Sequence, residues 1–154
     1  MNPISPPDIT VFDIADWFLA KAKAEDKPLK HMKLQKLVYF AYGWYCAYYD
    51  DPPLFPETIF AWRYGPVVAD LYGRFKRFGD TPINRVSKEP ELDENVKEIL
   101  EAVWDAYAPK TDVELSHITH RVEAPWAQVY REYGRNAVIE PVEIRNYFKK
   151  LKDS

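Results

Sequence analysis

The chain has 154 residues, a formal net charge of −3 and 47% apolar residues, a balance typical of one ordinary globular domain. Its single cysteine excludes an internal disulfide, and no apolar stretch approaches the roughly 20 residues of a membrane span. The first ten residues lack the basic and apolar regions of a signal peptide, so we expect a cytoplasmic location. Eleven Tyr and five Trp suit both a core and a protein interface.

The N-terminal part of the chain begins with three prolines in residues 1–9. We interpret this segment as an extended lead-in to a single domain over residues 10–154. Thr10 followed by Asp13 is the pattern of a capping box and predicts the start of a first helix. Pro28 ends that helix.

A second helix is predicted over residues 31–49. This segment is apolar on most of its circumference, which is typical of a helix at the centre of a fold. Residues 57–64 are rich in β-branched and aromatic side chains and predict a strand. Pro66 is well placed as the first residue of a third helix, which Gly79 ends. Residues 82–86 could form a short strand that pairs with 57–64.

The second half of the chain predicts four more helices. Asp93 caps the first of them, and Thr111 with Glu114 forms another capping box. Pro125 and Pro141 each open a further helix. The expected fold is therefore mainly α (α+β), a compact bundle of about six to seven helices with a small β-strand or hairpin element near residues 57–86.

Charge is distributed in blocks along the chain. Residues 63–88 contain six basic residues and two acidic ones, whereas residues 89–114 contain nine acidic residues and two basic ones. Such blocks usually form solvated faces, although they can also steer an oppositely charged protein partner.

Few residues suggest catalysis. His117 and His120 are three apart on a predicted helix, a spacing that allows two imidazoles to share a metal, and Glu123 lies nearby. A metal-dependent hydrolase is therefore one alternative, but local hydrogen bonding of the histidines explains them more simply. Cys46 has no neighbour that would lower the pKa of its thiol and is expected to behave as a buried apolar side chain. We predict no catalytic residue, no metal and no cofactor.

A cluster of basic and aromatic residues near the predicted strand suggests a second alternative. Cations interleaved with aromatic rings can hold phosphates and stack bases, so residues 63–88 could belong to a nucleic-acid-binding regulator. The acidic net charge counts against nucleic acid as a partner.

The chain resembles the Panacea domain family, the group that includes SocA-like antitoxins and GepA-like phage-associated proteins. The resemblance covers about residues 10–150. Its motifs are KLQKLVY at residues 33–39 with the following FAYGW, AWRYGPVV at 61–68, LSHITH at 115–120, PW at 125–126 and EIRNYF at 143–148.

The resemblance implies an antitoxin, often carried by bacteria or by mobile elements such as prophages, that binds a protein toxin encoded beside it. It leaves open whether the toxin is neutralised by blocking its active site or by delivery to proteolysis. The surplus of aromatic residues could also support a homodimer. We place the partner-binding surface, as a hypothesis, at Arg63, Tyr64, Tyr72, Arg74, Phe75 and Arg77. Residues expected only to maintain the fold are Leu34, Leu37, Trp62, Gly65, Pro66, His120 and Trp126.

Overall fold

The computed structural model describes residues 3–85 and 88–154. Within them the chain forms seven α-helices and a three-stranded antiparallel sheet of strand order β2-β1-β3, which confirms the mainly α fold with a small β element. The helices are α1 (Val11–Ala24), α2 (His31–Tyr48), α3 (Ala69–Phe75), α4 (Glu94–Tyr107), α5 (Asp112–Thr119), α6 (Pro125–Tyr133) and α7 (Pro141–Asp153). The strands are β1 (Ile59–Trp62), β2 (Gly65–Val68) and β3 (Ala137–Val138).

Helix α2 is the centre of the fold. It contacts α1, α4, α7 and strand β2, and its side chains are buried over nearly the whole circumference. Its closest neighbour is α7, because Gly43 has no side chain and the ring of Phe148 occupies the space where a Cβ atom would lie. The absence of a polar face in this helix therefore reflects its position, as the sequence predicted.

The predicted helix starts at Pro125 and Pro141 are confirmed, and so are the three starts predicted from capping side chains. Thr10 and Asp13 form a complete capping box at α1, and Thr111 and Glu114 form another at α5. The Asp93 side chain accepts a hydrogen bond from the backbone N–H of Asn95 at the start of α4. Each of these side chains gives a partner to backbone groups that the first turn of a helix leaves unpaired.

The prediction that Pro66 opens a helix is wrong. Residues 65–68 form strand β2, which folds back on β1 after the two-residue connection Arg63–Tyr64, and α3 begins only at Ala69. Gly65 has a φ angle of 130°, a backbone conformation that favours glycine. Since β2 lies at the edge of the sheet, the missing N–H of Pro66 is compatible with this strand.

The expected pairing of residues 82–86 with 57–64 is also wrong for the part that the structure describes. Residues 82–85 form no strand, and the Ile83 N–H donates instead to the carbonyl oxygen of Leu29, at 2.9 Å. Val86 lies outside the described residues. The second neighbour of β1 is β3, a two-residue strand between α6 and α7 that pairs with Phe60 and Ala61.

The N-terminal segment, as far as it is described, lies against the residues that precede α4. Ile4 and Leu92 form a parallel bridge, with backbone hydrogen bonds of 2.8 Å to Glu91 and from Asp93. Ile9 is completely buried.

No helix within residues 3–85 and 88–154 combines the length and the apolar character that a membrane crossing needs.

Candidate partner-binding groove

A groove of about 760 Å³ opens beside the β1–β2 hairpin. It is formed by the first turns of α2, the hairpin, the start of α3, one side of α5 and the residues before β3. Its lining is mixed, with aromatic and apolar side chains beside charged ones. The lining residues are His31, Met32, Lys36, Trp62, Arg63, Tyr64, Val67, Tyr72, Asp112, Ser116, Arg135 and Asn136.

Lys36 is the buried cation of the groove. The residue is only 5% exposed, and within the described chain its ammonium group makes no hydrogen bond and no ion pair. Burial lowers the pKa of this ammonium, and the carboxylate of Asp112 offsets part of that effect. The remaining charged residues of the lining, Arg63, Asp112 and Arg135, are exposed.

An aromatic cluster forms the wall between the hairpin and α3. The ring of Tyr72 contacts Trp62 edge-on, with 4.9 Å between ring centroids, and lies 5.7 Å from the ring of His31. Trp62 donates a hydrogen bond of 3.1 Å from Nε1 to the Asn136 side chain. Tyr64 is 64% exposed at the rim, with the Arg63 guanidinium 5.5 Å from its ring centroid. These contacts fix the rings of Trp62, Tyr72 and His31, whereas Tyr64 is exposed to solvent.

His31 begins α2 at the edge of this wall. The residue is 8% exposed, and its buried Nδ1 atom has no hydrogen-bond partner among residues 3–85 and 88–154. Burial lowers the pKa of the imidazole, so the neutral form is favoured in the fold.

The polar residues of KLQKL hold α2 in place beneath the groove. The Gln35 side chain pairs with both backbone polar groups of Val68. The Lys33 ammonium donates to the carbonyl oxygens of Ala108 and Lys110, at 2.7 and 2.8 Å, just after the end of α4. A cation is favourable there because a helix C-terminus carries partial negative charge. Lys36, which faces the groove, is the polar residue of this motif that lacks such a partner among the described residues.

A stack of three rings supports the hairpin from the other side. Trp126 lies parallel to His120 at 4.0 Å and to Tyr130 at 4.8 Å. Its Nε1 atom donates a 2.7 Å hydrogen bond to the carbonyl oxygen of Trp62. The Nε2 atom of His120 is directed at Gly65, 3.7 Å from where a Cβ atom would lie. The stack thus contacts the strand-connecting turn through its backbone, where glycine leaves room for the imidazole.

Four of the residues expected to maintain the fold are buried. Leu34 and Leu37 are completely buried in the core, and Gly65 and Pro66 are buried in β2. Trp62 belongs to the same set, but its ring also lines the groove.

The histidines do not form a metal cluster in the described chain, where no group of three or more potential ligands is close enough to hold an ion. His117 and Glu123 are exposed, whereas His120 is half-buried in the stack. Burial lowers the pKa of His120, and the nearby Tyr64 backbone offsets part of that effect. Cys46 is 2% exposed, and burial raises the pKa of its thiol to about 11, so it does not provide a thiolate nucleophile at neutral pH.

The structure does not bring the six predicted partner-binding residues together. Arg63, Tyr64 and Tyr72 line the groove. Phe75 is 1% exposed and belongs to the core, so its assignment to the surface is wrong. Phe75 lies on the apolar face of α3, and this face packs against the core.

The two remaining predicted cations lie outside the groove lining. Arg74 is half-buried, with its guanidinium 3.8 Å from the ring centroid of Phe12. Arg77 is exposed, with its guanidinium 5.0 Å from the ring of Phe78.

Sequence reasoning missed five of the polar residues in the lining. These are the ionisable and amide residues His31, Lys36, Asp112, Arg135 and Asn136, and Ser116 was missed as well. The one signal in the sequence was a lysine within the apolar circumference of α2. The others come together only through the fold.

Comparison with known proteins gives a consistent result. A family model described as "Antitoxin SocA-like, Panacea domain" matches residues 34–127, more than half of the chain. A curated protein, "Antitoxin SocA" of Caulobacter vibrioides (strain NA1000 / CB15N), is 29% identical over 150 residues, which cover 88% of this chain and 79% of the relative. No solved structure gives a significant match. The matched residues include Lys36, the hairpin and Trp126.

Proposed function

The chain belongs to the SocA-like antitoxin family with a Panacea domain, and on that premise we propose that it neutralises a cognate protein toxin, encoded nearby, by binding it directly. It acts in the cytoplasm and catalyses no reaction of its own. The toxin covers the groove, and the exposed rim of the β1–β2 hairpin makes the first contacts.

The observation that carries this proposal is the combination of rigid and exposed aromatic residues around one concave surface. Binding energy at protein interfaces is concentrated in a few Tyr, Trp and Arg side chains that fill or border pockets. Trp62 and Tyr72 are held by ring contacts and by the hydrogen bond to Asn136, so they lose little conformational freedom when a partner binds. Tyr64 and Arg63 are exposed beside them.

The two alternative functions have less support. The basic stretch that suggested nucleic acid is dispersed in the structure, with Arg63 at the groove, Arg74 against Phe12 and Arg77 outside the groove lining. The hydrolase would need His117 and His120 to act together, but one is exposed and the other is stacked on Trp126.

Co-expression with the adjacent open reading frame tests the proposal. We expect the product of that gene to arrest growth when expressed alone, and the wild-type chain to restore growth and to form a stable complex on size exclusion. The double variant Arg63→Ala, Tyr64→Ala should lose both effects.

The matched control is Tyr133→Ala, since Tyr133 is 71% exposed on α6 and lies outside the groove. If the double variant neutralises the toxin fully, the groove rim is not part of the interface. Absence of any complex with the wild-type chain would refute the proposed function itself.

A further inference from the structure

The groove contains a largely buried positive charge that the described residues compensate only in part, through the attraction of Asp112. Lys36 is 5% exposed, and the part of the chain that the structure describes offers its ammonium group neither a hydrogen bond nor an ion pair. Lysine is almost never buried to this extent without a partner. A largely buried charge without a partner is unfavourable because it has lost most of its contact with water without gaining a substitute.

A structural explanation of Lys36 is weak. An aliphatic side chain of similar length would fill the same space without the cost of desolvation. The direction of the pKa shift supports this view, because burial disfavours the charged form of Lys36 more strongly than the attraction of Asp112 favours it. In contrast, the neighbouring cation Lys33 is satisfied by two carbonyl oxygens.

The charges around Lys36 select the sign of an occupant. Two further cations, Arg63 and Arg135, line the same groove, against the single carboxylate of Asp112. His31, also in the lining, is buried and favours its neutral form. The groove therefore attracts an anionic group, and a protein partner supplies such a group as an aspartate, a glutamate or a C-terminal carboxylate.

The apolar part of the lining indicates which side chains of the partner lie beside that carboxylate. Met32, Trp62, Val67 and Tyr72 lie in the same groove as Lys36. A peptide segment that enters it must place an apolar or aromatic side chain against these residues.

We propose that the groove receives an acidic segment of the toxin, with one carboxylate bound at the Nζ atom of Lys36 and an adjacent apolar side chain packed against Trp62 and Tyr72. This inference rests on the proposed function and specifies its central contact. The ion pair forms only in the complex, where exclusion of water makes it strong.

The test measures the affinity of purified wild-type and variant chains for the protein encoded by the adjacent open reading frame, by titration calorimetry. Lys36→Met keeps the aliphatic stem and removes the charge. We expect it to bind about ten- to a hundredfold more weakly, the effect of one charge-assisted hydrogen bond. Lys23→Met, on the exposed side of α1, is the control and should bind as the wild type does.

A stability measurement on the free chain separates this role from a structural one. Since Asp112 offsets only part of the cost of burying the Lys36 charge in the free protein, Lys36→Met should keep or raise the melting temperature. A melting temperature well below that of the wild type would overturn the proposal, because it would show that the charge is already compensated within the fold.

A double-mutant cycle identifies the carboxylate. Each aspartate and glutamate of the toxin is replaced by its amide, and the C-terminal carboxylate is amidated. One of these changes should be non-additive with Lys36→Met, so that the second substitution has little further effect. Additivity at every carboxylate would overturn the proposal.

Other occupants would be recognised in the same experiments. A wild-type dimer that Lys36→Met converts to monomers would show that a second copy fills the groove, and co-purified nucleic acid lost from Lys36→Met would indicate a phosphate backbone. Either result overturns the proposal. If Lys36→Met binds toxin as the wild type does, this inference fails and the proposed function stands. If the wild-type chain binds no toxin, the proposed function fails and this inference fails with it.

Discussion

The side chain of Gln35 pairs with both backbone polar groups of Val68. Its Nε2 atom donates to the Val68 carbonyl oxygen at 3.1 Å, and its Oε1 atom accepts from the Val68 N–H at 2.9 Å. Val68 ends β2, an edge strand of the sheet, so the amide supplies the hydrogen bonds that another strand would otherwise make. This pair joins α2 to the hairpin that borders the groove.

Replacing Gln35 by methionine should therefore destabilise the chain. The substitution keeps the length of the side chain but leaves the Val68 N–H and carbonyl buried without partners, which costs about 2–4 kcal/mol of the free energy of unfolding. Urea denaturation measures the loss. Gln128→Met, at an exposed position of α6, is the matched control. Equal stability of the two variants would contradict the role given to Gln35.

The approach of α2 to α7 gives a second prediction. A Cβ atom at position 43 would collide with the ring of Phe148, so Gly43→Ala should lower the free energy of unfolding by about 1–3 kcal/mol. Gly73→Ala is the matched control, because nothing lies within 4 Å of a Cβ atom there. Since alanine favours helix, that variant should gain about 0.5–1 kcal/mol.

A second-site change tests the cause of the Gly43→Ala defect. Phe148→Leu removes the ring that the new methyl group meets, so the double variant should be more stable than the sum of the single changes predicts. Strict additivity in urea denaturation would mean that the methyl group does not meet Phe148.

The hydrogen bond between Trp126 and the Trp62 carbonyl gives a third prediction. Trp126→Phe keeps an aromatic ring against His120 but removes the N–H donor, and we expect a loss of about 1–2 kcal/mol in the free energy of unfolding. Guanidinium denaturation followed by far-UV circular dichroism provides the value. Tyr133→Phe should be neutral by the same measurement, because Tyr133 is exposed. A loss in the control as large as that in Trp126→Phe would argue against a specific effect.

The buried imidazoles predict a pH dependence of stability. Burial lowers the pKa of both His31 and His120, and the positive charge of Lys36 contributes to the shift at His120, as does His117. The unfolded chain, with histidine pKa values near about 6.5, therefore binds more protons than the folded chain below that pH. Stability should be fully retained above a pH of about 6.5. It should fall as the pH drops below that value and through the lower histidine pKa values of the folded chain.

Thermal melts between pH 7.5 and 5 measure this dependence. His120→Gln should reduce the slope of melting temperature against pH. His117→Gln removes only one of the charges that lower the pKa of His120, so it should reduce the slope less. An unchanged slope in the variant that lacks both His31 and His120 would rule out these two residues as its source.

The elements that depend on local sequence could be predicted. The capping boxes at Thr10 and Thr111 and the central position of α2 follow from residues close together in the chain. Pro66 was assigned to the wrong element because a proline after glycine is compatible with a helix start and with an edge strand. The pairing of residues 65–68 with β1 and the hydrogen bonds between Gln35 and Val68 decide between them, and the latter join residues 33 positions apart in the chain.

The site was less accessible to sequence reasoning than the fold. Lys33, Gln35 and Lys36 are polar residues within four positions of one helix, and their different roles depend on what lies opposite each of them. Gln35 meets Val68 and Lys33 meets the end of α4, contacts separated by 33 and 75 residues along the chain. Lys36 meets the groove, which exists only after five elements have come together.

Backbone hydrogen exchange, measured on the chain alone and in complex with the product of the adjacent gene, tests the central claim most directly. We predict that the toxin slows exchange in residues 62–72, at the start of α5 and around residues 135–136, which together surround the groove. The exposed face of α4 should exchange at the same rate in both states. Protection confined to α4, or exchange around the groove that the toxin leaves unchanged, would contradict the account.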